Sequence, residues 1–87
     1  MVISSLVVEA SQEEVYSVAD ALDDIEGAEV YEVQGFKIVV VLEAQNIHAS
    51  HEIASSFSKI PGVMAVNLVY ANFEDDPAIA GEANAEN

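Results

Sequence analysis

Phe36-Lys37-Ile38-Val39-Val40-Val41-Leu42-Glu43 is the stretch around which the rest of the chain is organised. Its five consecutive branched aliphatics, Ile38 to Leu42, are too few to span a membrane and too rich in β-branching to favour a helix. They predict a strand. Side chains along a strand alternate between its faces, so Ile38, Val40 and Leu42 point one way and Val39 and Val41 the other. Apolar residues on both faces mark a central strand. A chain of 87 residues has few elements with which to cover a second face, so an apolar surface is expected to remain open.

The remaining elements follow from local patterns. Ile3 to Glu9 predicts a first strand, with Ser4, Leu6 and Val8 on one side and Ser5, Val7 and Glu9 on the other. Ser11-Gln12-Glu13-Glu14 has the form of a capping box, Ser11 as N-cap and Glu14 reaching back. Val15, Val18, Ala19, Leu22 and Ile25 follow at helical spacing, and Gly27 is placed as the left-handed residue closing that helix. Glu29 to Gln34, with its interspersed acids, suits a sheet edge, and Gln34-Gly35 a hairpin turn into the central strand. Asn46 is the expected N-cap of a second helix with the stripe Ile47, Ser50, Ile53/Ala54, Phe57 and Ile60. Pro61-Gly62 ends it, and Val63 to Ala71 forms the last strand.

An internal repeat sets the topology. Leu6-Val7-Val8-Glu9-Ala10 matches Val40-Val41-Leu42-Glu43-Ala44, 34 residues on, and Ile25-Glu26-Gly27 matches Ile60-Pro61-Gly62, 35 residues on. Each copy reads strand, helix, strand. Two copies give βαββαβ, the ferredoxin-like split βαβ of the α+β class: a four-stranded antiparallel sheet in the order 4-1-3-2 with both helices on one face. The expected domain is 1–71. Residues 72–87, with five acids and no periodicity, read as a disordered acidic tail.

The core face is then Leu6, Val8, Ile38, Val40, Leu42, Val66, Leu68 and Tyr70. The open face is Ser5, Val7, Glu9, Lys37, Val39, Val41, Glu43, Asn67 and Val69, aliphatic at the centre and polar or acidic at its ends. That is the anatomy of a binding patch. A dimer interface or scattered surface valines would give the same pattern, and Asn67 suits either a bond to a partner's backbone or exposure to water.

Sixteen acids against two lysines and no arginine give a net charge of −14. Such a chain repels nucleic acid and anionic membranes and attracts a basic partner, although the same charge also keeps an apolar domain soluble. The apolar fraction is 52% and the mean hydropathy +0.27, yet no run is long enough for membrane insertion. The N-terminus lacks the basic region of a signal peptide, and the absence of cysteine fits a cytoplasmic protein.

Catalytic chemistry is not indicated. His48 and His51, three residues apart beside Glu52, have a metal-ligand spacing but no third ligand by motif, and solvated histidines explain them better. The pairs Glu13-Glu14, Asp23-Asp24 and Asp75-Asp76 read as solvated charge. No phosphate loop, nucleophile motif or anion clamp is present, so no enzyme, no metal and no cofactor is expected.

Ser5-Leu6-Val7-Val8, the step Gly27-Ala28-Glu29-Val30, Ile38-Val39-Val40-Val41-Leu42-Glu43-Ala44 and Ile60-Pro61-Gly62-Val63-Met64-Ala65-Val66-Asn67-Leu68-Val69-Tyr70 together resemble the NapD family, over roughly residues 3–71. The resemblance implies a cytoplasmic chaperone for maturation of the periplasmic nitrate reductase catalytic subunit, NapA. It would bind the twin-arginine (Tat) signal peptide of the NapA precursor and delay export until the molybdenum cofactor is inserted. A basic, apolar peptide of that kind matches the charge and the open face read from the residues. A monomer or weak homodimer is expected. Two other functions suit the same fold: a small-ligand regulatory or dimerisation module, and a metallochaperone. The first strand is followed by Ala10-Ser11-Gln12, with neither the glycine-lined loop the former needs nor the cysteine the latter needs.

Overall fold

The computed structural model describes residues 1–72. Their elements run β1 (Val2–Ala10), α1 (Val15–Asp23), β2 (Ala28–Gln34), β3 (Lys37–Ala44), α2 (Ile47–Phe57) and β4 (Val63–Asn72). The strands form one antiparallel sheet in the order β2-β3-β1-β4, the ferredoxin-like arrangement that the repeat predicts. Among the described residues no helix is long and apolar enough to cross a membrane. The expected tail lies outside the described residues apart from Asn72, which closes β4.

The alternation in β1 and β3 sorts their side chains into two layers. Leu6, Val8, Ile38, Val40 and Leu42 are buried beneath Val15, Val18, Ala19 and Leu22 of α1 and Phe57 of α2. Each such side chain contributes about 1.5–3 kcal/mol by leaving water, which makes this layer the main source of stability. It also commits both helices to one face and leaves the other bare.

The repeat is visible in the hydrogen bonds. In the first unit the Ile25 amide donates to Leu22 O at 3.1 Å and the Ala28 amide to Ile25 O at 3.0 Å. In the second, the Ile60 amide donates to Phe57 O and the Val63 amide to Ile60 O, both at 3.1 Å. Gly27 and Gly62 occupy equivalent places in these turns with φ of 91° and 99°, a region that side chains with a Cβ avoid.

Several local expectations are corrected. Residues 12–14 form a turn and α1 begins at Val15. The Ser11 hydroxyl donates to Glu14 Oε1 at 3.2 Å, so the two side chains bond each other and no side chain caps α1. Gly27 lies in the turn that enters β2, three residues past the helix-capping Asp24, because the chain must still reach the sheet edge. The hairpin loop is Gly35-Phe36, between the paired residues Gln34 and Lys37. Asn46 does cap α2, its Oδ1 accepting from the Ala49 amide at 2.8 Å.

The larger correction concerns β4. A register shift falls between Ser5 and Leu6: Leu6 pairs with Leu68, but Ser5 pairs with Tyr70. Val69 is the extra residue of a bulge. Tyr70, expected in the core, therefore turns to the open face and is 57% exposed. Leu68 keeps the core-face register opposite Leu6 but is 62% exposed, because α2 lies over the central strands and leaves a groove between itself and β4.

Candidate functional site

The open face is a grid of cross-strand rows. From β2 to β4 one row reads Glu29, Val41, Ser5, Tyr70, and the next Glu32, Val39, Val7, Asn67. A third reads Gln34, Lys37, Glu9, Ala65, while Glu43 pairs with Ile3 beyond the first. Val7, Val39 and Val41 form the centre and are half-buried only by their neighbours. Directly opposed side chains in such rows lie about 4.5–5.5 Å apart at Cβ, so the three valines make one continuous apolar surface.

Eight of the nine expected residues, Ser5, Val7, Glu9, Lys37, Val39, Val41, Glu43 and Asn67, share this face by register. Val69 has no register partner; it sits in the bulge beside Tyr70, 65% exposed. Asn67 faces neither an empty surface nor water alone: its Nδ2 donates to Glu9 Oε2 at 3.4 Å. Lys37 pairs with Glu9 in the register and holds its ammonium 5.7 Å from the Phe36 ring centre.

Four further residues share the face: Ile3, which follows the alternation of Ser5, Val7 and Glu9, and Glu29, Glu32 and Tyr70, whose placement depends on register shifts. Glu29 and Glu32 are three apart, so a regular strand would send them to opposite faces. A register shift between Val30 and Glu32 makes Tyr31 the extra residue and returns both acids to the open side. The signal was present in Val30 and Val33, which are also three apart and both pack against the core. Two apolar residues at that spacing can share a face only if the strand carries one extra residue between them.

The electrostatics of the face are lopsided. Glu29 and Glu32 line its β2 side, Glu43 stands beside Val41, and the β4 side offers only Ala65, Asn67 and Tyr70. An apolar centre with acids along one flank can hold a segment that is apolar along one stripe and cationic beside it. The face presents no nucleophile beside a base. On α2, His48 Nε2 approaches Glu52 Oε2 at 3.4 Å on an exposed surface, and among the described residues no three His, Cys, Asp or Glu gather to hold a metal.

Comparison with known proteins places this geometry in a family. The NapD protein family model matches residues 1–75. The chain belongs to the NapD family. Chaperone NapD of Paracoccus pantotrophus is 35% identical over 68 residues, covering 78% of this chain. The chain spans 61% of the length of that curated relative. The solution structure of NapD, the Tat proofreading chaperone protein of E. coli, superposes with a TM-score of 0.75 at 31% identity, covering 78% of this chain and 74% of that one. The relatives are named chaperones, a non-enzymatic role, and the superposition supports the ferredoxin-like fold described above.

Proposed function

We propose that this protein is a cytoplasmic maturation chaperone that binds the twin-arginine signal peptide of the periplasmic nitrate reductase precursor on the open face of its sheet. Holding the peptide there would delay export until the molybdenum cofactor is inserted. The observation that carries the reading is the half-exposed surface of Val7, Val39 and Val41 bordered by Glu29, Glu32 and Glu43. A twin-arginine peptide joins a cationic segment to an apolar one, and this face offers a partner to each. The names of the relatives, a chaperone and a Tat proofreading chaperone, support the same role.

The peptide is expected to lie across the sheet as a helix. A helix presents one apolar stripe to a flat surface, whereas an added strand needs an unbroken edge. β4 shifts register after Leu68 and again between Val63 and Ala65, which leaves only two short regular runs, Ala65 to Leu68 and Tyr70 to Asn72. The β2 edge is interrupted at Tyr31 and carries acids.

Titration with a synthetic twin-arginine signal peptide in a calorimeter tests the proposal. Binding should weaken as salt rises, because screening shortens the reach of the acids. It should weaken again when both arginines are replaced by glutamine. Binding indifferent to both changes would refute the role given to the acidic border.

A further inference from the structure

The negative charge is not spread evenly. Residues 1–45 hold ten acids and one lysine, for −9, whereas residues 46–72 hold only Glu52 and Lys59, for zero with neutral histidines. The other five acids lie in 73–87. The neutral stretch comprises α2 and β4, which together bound the groove of about 360 Å³ left where α2 stops short of the edge strand. Its walls include Leu6, Ile47, Ala54 and Val66, with Leu68 at the rim. Beside it β4 exposes Met64 (71%), Leu68, Val69 and Tyr70, and β4 carries no charged residue at all.

We propose that this neutral α2–β4 flank is the surface through which two copies of the chain associate, as a two-fold dimer. The charge distribution selects the occupant. A cationic partner is drawn to the acids of residues 1–45 and gains little here. Two molecules of −14 approach with least repulsion where neither presents net charge, and residues 46–72 are such a surface. A two-fold contact requires a patch that complements itself, and this one sets a protruding apolar rim beside an apolar hollow. The bulges at Met64 and Val69 interrupt the ladder of the edge, so the contact is side-chain packing of rim into groove rather than a sheet continued from copy to copy. Val7, Val39 and Val41 lie on the other side of the sheet and stay free, so a dimer would carry two open faces.

Sedimentation equilibrium of the full chain without peptide tests this. The net charges of the two copies repel, and screening relieves that repulsion: the Debye length falls from about 30 Å at 0.01 M salt to about 3 Å at 1 M. Dimerisation should therefore strengthen with salt, the opposite of the response expected for peptide binding. Leu68→Glu should weaken the dimer at least tenfold, and Val69→Asp likewise; both side chains are mostly exposed, and circular dichroism should show each variant folded. Val39→Glu should leave the dimer intact. A chain monomeric up to about 1 mM at low and high salt alike would overturn the proposal. So would a dimer that dissolves as salt rises, or one lost in Val39→Glu and kept in Leu68→Glu.

Discussion

The two edge strands end equivalent repeats and are protected in different ways. β2 places Glu29 and Glu32 beside the apolar centre of the open face and exposes Tyr31 at its bulge. β4 has ten residues without a charge, two register shifts and four large exposed apolar side chains. Charge deters edge-to-edge pairing on the first, and irregular backbone on the second. The consequence reaches beyond aggregation. In the proposed function the acid edge would favour a cationic segment beside the sheet face, and in the proposed dimer the neutral edge would receive a second copy. The two strand-helix-strand units thus end in different edge strands, with acids on β2 and none on β4.

Both edges hang on the same central strands, and the largest expected effect strikes there. Val40→Glu puts an unpaired charge under the helices, at a site fully shielded from water. A loss of about 4 kcal/mol or more is expected, enough to abolish the cooperative urea transition of a small domain. Its neighbour Val41→Glu lies on the open face and should remain folded.

The turns entering the two edges separate them next. A Cβ on Gly27 would meet the backbone Glu43 O at 2.6 Å, whereas on Gly62 it would meet Glu14 Cβ at 2.9 Å and Val18 Cγ2 at 3.1 Å. Both also sit at positive φ. A carbonyl oxygen and a Cβ are both fixed by the backbone, so the closer approach makes Gly27→Ala the costlier change, about 3 kcal/mol against about 2 kcal/mol for Gly62→Ala. Urea denaturation reads both, and equal losses would mean that the second turn is as rigid as the first.

For peptide binding, Val41→Glu should weaken affinity at least tenfold, about 1.4 kcal/mol, since the charge lies where the peptide excludes water. Glu29→Gln combined with Glu32→Gln should weaken it by less, about 1 kcal/mol or fivefold, as exposed charges act, and should flatten the salt dependence. The smallest effect is expected on the other edge: Leu68→Ala should change stability by no more than about 0.5 kcal/mol. A larger loss would show that α2 covers β4 in solution.

The same contrast explains what could be read in the sequence. β1 and β3 are regular, so the alternation of Leu6, Val7 and Val8 and of Ile38 to Leu42 assigned both faces correctly, and the repeat assigned the order of the strands. The edges were less legible because each breaks period two. In β4, Val66-Asn67-Leu68-Val69-Tyr70 alternates smoothly in sequence, with no glycine or proline to mark the bulge, so Tyr70 reads as core although it faces Ser5. The exposure of Leu68 depends on where α2 comes to rest, which no local pattern encodes. In β2 the spacing of Val30 and Val33 did carry the information, and with it the place of Glu29 and Glu32 on the open face.

Where the peptide sits can be mapped residue by residue from amide chemical shifts recorded while a twin-arginine signal peptide is titrated into the labelled protein. The expected result is a set of changes centred on Val7, Val39 and Val41 and reaching Glu29, Glu32 and Tyr70, with the amides of α1 and α2 little moved. Changes confined to the backbone of Met64 to Val69, or to the groove beneath α2, would contradict the account and assign the peptide to the neutral edge instead.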